Sequence, residues 1–191
     1  ESNAGGSNGV SIHETFPGDR VGFDTAKWTM LSPTPNQIGH VGGAASLLAS
    51  ATVVNCHPML HKKKLATDAQ QVSVVITRTA ADTDAPLRLI LRATSNLTSL
   101  VYCDIYSKHF TIGKAVYSTS SGVWSYTEWR NANWTFKAGN SIDFRVTGNN
   151  YSLTCNGTPV TDLTNATATV GANNRYVGMG HSLRTVFRIK F

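Results

Sequence analysis

Two neighbouring stretches of the chain place polar and aromatic side chains at every second position. The stretch PLRLILRA, residues 86–93, contributes Arg88 and Arg92. The stretch LVYCDIYS, residues 100–107, contributes Tyr102, Asp104 and Tyr106. The segment that follows adds His109. Alternate residues of a strand share one face, and these residue types recognise sugars by ring stacking and by hydrogen bonds to hydroxyls. The pattern predicts a carbohydrate-binding sheet face. The alternative is a solvated face with ordinary cross-strand pairs.

A second group of aromatic residues follows between positions 124 and 134. Its members are Trp124, Tyr126, Trp129, Arg130 and Trp134. If they are exposed, such side chains mark a binding rim or a subunit contact, and if they are buried they pack in the core. We expect Trp124 and Trp129 to be rim aromatics and Trp134 to belong to the core, together with Trp28.

The acidic residues do not form the pair that glycoside hydrolysis requires. Two carboxylates must flank the scissile bond. In glycoside hydrolases with a β-sandwich fold, these carboxylates usually stand on one strand in the pattern Glu-x-Asp-x-Glu. The chain has three glutamates, Glu1, Glu14 and Glu128, and none has an acidic residue two positions away. The pattern Gly-x-Ser-x-Gly occurs only at residues 5–9, in the Gly/Ser/Asn-rich start of the chain and not after a predicted strand, as a nucleophile elbow requires. The missing acidic pair predicts that the protein is not an enzyme.

Metal ligands are sparse in the sequence. His57 and His61 lie near Cys56, but Pro58 disfavours the helix on which positions i and i+4 would share a face. Asp82 and Asp84 offer oxygen ligands for calcium, although a turn is the ordinary interpretation of Asp-Thr-Asp. We expect no cofactor, with calcium near Asp82 and Asp84 as the alternative.

Composition and charge describe a basic, mostly uncharged chain. Its 191 residues carry a net charge of +6, and only residues 61–64 form a basic run, so we expect neither a nucleic-acid partner nor membrane insertion. The three cysteines, Cys56, Cys103 and Cys155, are odd in number and far apart, which favours reduced thiols. Residues 1–12, rich in Gly, Ser and Asn, predict a flexible leader or linker before a single domain at 13–191.

The elements that would position these residues are strands. Residues 140–160 read NSIDFRVTGNNYSLTCNGTPV, in which Ile142, Phe144 and Val146 alternate with polar residues, and Asn156-Gly157 is a strong hairpin signal. About a dozen such strands are visible, whereas residues 57–64 are predicted as a loop. The fold class predicted is all-β, an antiparallel sandwich of two sheets.

Over residues 16–191 the chain resembles a concanavalin A-like jelly roll of the laminin-G and glucanase type. The resemblance rests on Trp28, Gly42-Gly43, TDAQQVSVVI, the paired stretches PLRLILRA and LVYCDIYS, FRVTGNNYSLTCNGTPV, NNRYVGMG and the closing VFRIKF. It implies the fold rather than one activity.

A narrower resemblance links the chain to the C-terminal modules of minor tail or fibre proteins of phages that infect actinobacteria. It rests on the Gly/Ser/Asn leader, the Thr-Asp before QQVSVVI, the Asn-Gly hairpin and the terminal strand. It implies a non-enzymatic, extracellular module of the virion tail that binds a bacterial cell-envelope polysaccharide and contacts other tail subunits, with a homotrimer as one possible state. The alternative is a structural or assembly domain of the virion.

Overall fold

The computed structural model describes residues 20–21, 24–30, 38–41, 44–47, 57–76, 86–181 and 187–190. These contain fifteen strands and one 3-10 helix, Ala172–Asn174. The strands are β1 Arg20–Val21, β2 Trp28–Met30, β3 Ile38–Val41, β4 Ala44–Leu47, β5 His57–His61, β6 Gln70–Ile76, β7 Leu87–Ala93, β8 Ser99–Ile105, β9 His109–Ser118, β10 Val123–Asn133, β11 Ser141–Thr147, β12 Asn150–Cys155, β13 Thr158–Leu163, β14 Tyr176–His181 and β15 Phe187–Lys190. The leader predicted at 1–12 lies outside the described residues.

The strands form two antiparallel sheets. Sheet A has eight strands in the order β1-β3-β4-β15-β6-β11-β12-β13. Sheet B has seven in the order β10-β9-β8-β7-β14-β5-β2. Each sheet therefore combines early and late segments of the chain, as a jelly roll does, and the prediction of an antiparallel two-sheet sandwich is confirmed.

The main core lies between the sheets and follows the alternation of the sequence. Val72 and Val74 of β6, together with Phe144 of β11, face Leu89 of β7 and Cys103 of β8, and all five are almost completely buried. Trp28 joins this core, as predicted. Cys103 and Cys155 are buried free thiols, in agreement with the prediction of reduced cysteines, while Cys56 lies outside the described residues.

The Asn-Gly signal also forms the hairpin that it predicts. Asn156 and Gly157 have φ of 52° and 77°, the left-handed pair that a tight turn between two strands requires. Thr158 therefore pairs with Cys155 across the turn, and β13 becomes the outer strand of sheet A.

Two segments differ from the sequence-based predictions. Residues 57–61, expected in a loop, form β5 between β2 and β14, where Met59 and Leu60 are buried. Residues 123–133, which show no steady period, form the longest of the described strands. A register shift between Glu128 and Arg130 explains the missing period, because a bulge reverses the alternation of side chains. Among the described residues, no helix is long and apolar enough to span a membrane.

Candidate functional site

The outer face of sheet B carries the polar pair that the sequence placed on β7 and β8. Arg88 lies opposite Asp104 in the register of these strands. Its Nε and Nη2 atoms each donate a hydrogen bond of 2.7 Å to a different oxygen of the Asp104 carboxylate. The pair is buried, with side chains 9% and 8% exposed. A paired, bidentate geometry satisfies both charges, so this pair supports the face rather than presenting free groups to a ligand.

Two tyrosine rings enclose the guanidinium of Arg88. Its Cζ atom lies 4.7 Å from the ring centroid of Tyr102 and 5.2 Å from that of Tyr126. The Tyr126 hydroxyl accepts a further hydrogen bond of 3.3 Å from Nη1 of Arg88. The two rings meet edge to face, with centroids 5.6 Å apart. Cation–π contacts of this kind fix the orientation of Tyr126 on the edge strand.

A glycine makes room for this arrangement. Gly113 of β9 pairs with Tyr102 in register. A Cβ atom at position 113 would lie 2.7 Å from the Tyr102 hydroxyl and closer still to the carbonyl oxygen of Thr127. Because Gly113 has no side chain, Tyr102 and β10 can both approach this part of β9.

The hairpin of β9 and β10 extends the aromatic surface outward. Tyr117 and Trp124 lie opposite each other in register, with ring centroids 5.3 Å apart. The Trp124 ring lies 6.3 Å from that of Tyr126 at an interplanar angle of 31°. Tyr126 is 51% exposed, whereas Tyr117 and Trp124 are half-buried. We call Tyr102, Tyr117, Trp124 and Tyr126 the aromatic face.

Burial changes the proton affinity of two groups beneath the aromatic face. Burial raises the pKa of the Asp104 carboxyl, and the hydrogen bonds and charge of Arg88 oppose this effect. Burial, reinforced by the neighbouring Asp104, raises the pKa of Tyr102 to about 12. Tyr102 therefore remains a neutral phenol across the physiological range.

The raised pKa of Tyr102 predicts a loss of stability at high pH. An unfolded tyrosine titrates near pH 10. Because the folded pKa is higher, the stability that Tyr102 contributes is complete below about pH 10 and is lost as the pH rises toward about 12. We expect the free energy of unfolding to fall more steeply over this interval in the natural protein than in a Tyr102→Phe variant, measured by urea unfolding at each pH. Equal slopes for the two proteins would contradict the prediction.

The structure corrects the predicted position of Arg92, which does not lie on the aromatic face. A register shift between Tyr176 and Gly178 marks a bulge where β14 meets β7, and Arg92 has a φ of 49°. The bulge reverses the alternation, so Arg92 points between the sheets. There its Nη2 atom donates to the carbonyl oxygen of Gly148, and its Cζ atom lies 5.4 Å from the Tyr151 ring centroid.

The remaining predicted residues lie apart from this surface. Trp129, expected at the rim, packs against the main core with its ring 5.3 Å from that of Tyr151. Its position at the bulge of β10 directs it inward. Tyr106 follows the end of β8 and stacks on His109, with ring centroids 4.0 Å apart. Tyr106 lies in the turn after β8 and His109 begins β9, so the pair is at the other end of these strands from Tyr117. Trp134 packs partly buried against the core, as expected.

Tyr117 was not among the site residues predicted from the sequence, and Tyr126 was predicted only as part of the tryptophan-rich group at 124–134. Ser118 and Val123 flank the turn at residues 119–122, and Tyr117 and Trp124 each lie one residue further from it. Two aromatic residues at equal distances from a hairpin turn are cross-strand neighbours, and this spacing was the signal available.

Within the part of the chain that the structure describes, no group of three His, Cys, Asp or Glu side chains is placed to hold a metal ion. Asp82, Asp84 and Cys56 lie outside the described residues. Of the two histidines, His61 is buried with its ring 5.2 Å from that of Trp28, and its Nδ1 atom accepts a hydrogen bond from the Lys63 amide. Residues 57–61 form a strand, so the helical spacing of His57 and His61 does not apply.

Comparison with known proteins finds solved structures that are similar in fold and low in sequence identity. No protein-family model matches the chain, and no curated protein matches it in sequence. Similar solved structures include a β-glucanase of Bacillus licheniformis, with a TM-score of 0.59 and 12% identity over 96% of both chains. A carbohydrate-binding module of family 66 from Bacillus subtilis has a TM-score of 0.57 and 10% identity, covering 85% of this chain and 91% of that one. A family 16 endo-glucanase from Bacteroides ovatus has a TM-score of 0.54 and 9% identity, covering 94% and 85%.

These similarities confirm the concanavalin A-like fold and correct one prediction. The absence of a Glu-x-Asp-x-Glu motif had led to the prediction that the protein is not an enzyme. This prediction is wrong, because glycoside hydrolases share the fold over nearly the whole chain. The missing motif therefore does not exclude enzymatic activity. The fold is common to hydrolases and to binding modules, and it does not separate the two activities.

Proposed function

We propose that the aromatic face binds a polysaccharide. The observation that carries this proposal is the half-exposed ring of Tyr126, held in place by Arg88 beside the tilted ring of Trp124. Exposed aromatic rings at fixed positions stack on the apolar faces of pyranoses, and their burial excludes water from the contact. Arg88 and Asp104 set the positions of the rings. Glu128, which is exposed on β10 with Trp124 and Tyr126, adds a hydrogen-bond acceptor.

The aromatic face is held in a fixed geometry, which favours sugar binding. The guanidinium of Arg88 uses Nε, Nη1 and Nη2 to bind Asp104 and Tyr126, so the ring of Tyr126 is oriented before a ligand arrives. Preorganisation reduces the entropy cost of binding and so increases the affinity for a sugar.

We further propose that the polysaccharide is a bacterial cell-envelope glycan and that the protein acts as a receptor-binding domain of a phage tail. This part rests on the resemblance of the leader, the QQVSVVI strand, the Asn-Gly hairpin and the terminal strand to phage tail modules. The location on a virion and the neighbouring tail subunits follow from the same resemblance. An assembly role within the tail is the competing outcome of the experiment below.

The test uses a fluorescent fusion of the full 191-residue chain and intact actinobacterial cells, with purified envelope polysaccharide as the competitor. We expect saturable staining that the free polysaccharide removes. Reducing ends released from the same polysaccharide are measured in parallel, so that turnover is detected if it accompanies binding. Absence of staining, both for the chain alone and for a trimerised fusion that restores avidity, would contradict the proposal and favour assembly.

A Tyr126→Ala variant should lose most of this binding with little change in stability. One stacked ring contributes about 1 kcal/mol or more beyond its area, so we expect affinity to fall at least about tenfold. The ring is half-exposed, so its removal should change the free energy of unfolding by less than about 1 kcal/mol. Titration of staining against protein concentration, with a melting curve for each variant, measures both effects.

The matched control is Val170→Ala. Val170 is also 51% exposed, but it lies outside the aromatic face. It should bind as the natural protein does. Tyr106→Ala tests the turn between β8 and β9 as an alternative site. A large loss in Tyr106→Ala, with full binding by Tyr126→Ala, would move the binding site to the Tyr106–His109 pair.

A further inference from the structure

A pocket lies between residues of β7, β8 and β9 and the connection at residues 167–169. Its volume is about 330 Å³, at the lower end of the range for small-ligand sites. The polar residues that line it include Arg92, Ser99, Lys114, Thr167 and Thr169. Two of its lining residues are cationic, and none is acidic.

Arg92 brings a buried positive charge to this pocket. Its residue is 2% exposed, and its Nε and Nη1 atoms have no hydrogen-bond partner in the described chain. The Tyr151 ring packs against the guanidinium; burial raises the pKa of the Tyr151 hydroxyl, and Arg92 opposes this effect. Asp68 is paired with Arg175 at 2.9 Å, and the hydrogen bond from Arg175 lowers the pKa of the Asp68 carboxyl. A buried guanidinium without a carboxylate partner is costly, and a bound anion would offset that cost.

Lys114 supplies a second charge from β9, which β8 separates from the β7 strand of Arg92. It lies opposite Val101 in register, on the side of β9 that faces the pocket, and it is half-buried. No hydrogen bond or ion pair links it to another part of the described structure. Thr167 and Thr169 line the pocket from the connection that precedes the 3-10 helix.

We propose that this pocket binds an oxyanion of the phosphate or sulfate class, either as a free ion or as a substituent of a larger molecule. Lys114 contributes a mobile ammonium, Arg92 contributes a fixed positive wall, and the threonine and serine hydroxyls donate hydrogen bonds to the remaining oxygens. The site is separate from the aromatic face and does not depend on the function proposed for it.

The experiment measures melting temperature against phosphate concentration at constant ionic strength, with chloride as the balancing anion. A ligand that binds only the folded protein raises its stability in a saturable way. We expect inorganic phosphate and sulfate to raise the melting temperature, and chloride to have no such effect. Glucose 6-phosphate, titrated in the same way, distinguishes the sources: stabilisation by it shows that a substituent enters the pocket, whereas stabilisation by the inorganic ions alone shows a site for free ions.

The deciding variant is Lys114→Gln, which keeps a polar side chain but removes the charge. Loss of one charge-assisted hydrogen bond should raise the phosphate concentration for half-maximal effect about tenfold. Lys137→Gln is the matched control, because Lys137 is exposed and lies outside the pocket, so the net charge changes equally. Arg92→Met should abolish the response, and Lys114→Gln decides the question if Arg92→Met does not fold.

Two results would overturn the proposal. The first is a phosphate effect no larger than that of chloride. The second is an unchanged half-maximal concentration in Lys114→Gln. A Trp124→Ala variant should retain the full phosphate response while losing polysaccharide binding, so failure of one site is distinguishable from failure of the other.

Discussion

Replacement of Asp104 by alanine should lower the free energy of unfolding by about 3–5 kcal/mol, because it leaves the buried guanidinium of Arg88 without its partner. Both hydrogen bonds of 2.7 Å to the carboxylate are lost, and the arginine side chain is only 9% exposed. In a chain of this length the loss corresponds to a fall in melting temperature of roughly 10 °C. Chemical unfolding and thermal melting of the same samples measure the effect.

The control for this prediction removes both partners together. An Arg88→Met, Asp104→Leu double variant fills a similar volume with apolar groups, and such replacements of buried pairs are often neutral or stabilising. We expect the double variant to recover most of the stability lost by Asp104→Ala. Its affinity for polysaccharide should nevertheless stay below that of the natural protein, because the Arg88 contacts that orient Tyr126 are absent. If Asp104→Ala were as stable as the natural protein, the pair would have no structural role.

The second large effect is expected from Gly113→Ala. The added methyl group would lie 2.7 Å from the Tyr102 hydroxyl and would overlap the Thr127 carbonyl oxygen, which is backbone and cannot rotate away. Overpacking of this kind costs about 1–3 kcal/mol or more. Because the overlap separates β10 from β9, the variant should also lose polysaccharide affinity, since Trp124 and Tyr126 lie on β10.

Val116→Ile is the matched control for Gly113→Ala. It adds one methyl group to the same strand at a position that is 49% exposed. We expect its unfolding free energy to stay within about 0.5 kcal/mol of that of the natural protein. Similar stabilities for Gly113→Ala and Val116→Ile would show that β10 accommodates the methyl group, and the glycine would then be unimportant for the aromatic face.

The candidate site shows where prediction from sequence succeeded and where it failed. The alternation of PLRLILRA and LVYCDIYS placed Arg88, Tyr102 and Asp104 on one face, and the structure has them there. The same alternation carried Arg92 to that face, but the bulge in β7 directs it between the sheets. A bulge adds one residue to one strand only, and a single strand's sequence does not record its partner's register.

The sequence also did not predict that residues on the outer face of sheet B are buried. Tyr102 and Asp104 were expected among exposed sugar-binding groups, yet they are 4% and 5% exposed. Ile90, Leu100 and Ala115 form a second apolar cluster around them. Alternation states which residues share a face, but it does not state which face is covered. Exposure is therefore concentrated on β10 at the edge of sheet B, where Tyr126 has no outer neighbouring strand in the described structure.

Local features of this protein follow from the sequence alone: the strands with a period of two, the Asn156-Gly157 hairpin, the buried thiols and the aliphatic core. Each of these depends on residues close together in the chain, whose side-chain directions the backbone fixes. The three-dimensional structure was needed to find that Arg88 orients Tyr126, that Trp129 packs inward, and that Arg92 and Lys114 line one pocket. Those contacts join strands through pairing, bulges and the packing of two sheets, and their energies depend on partners distant in the sequence.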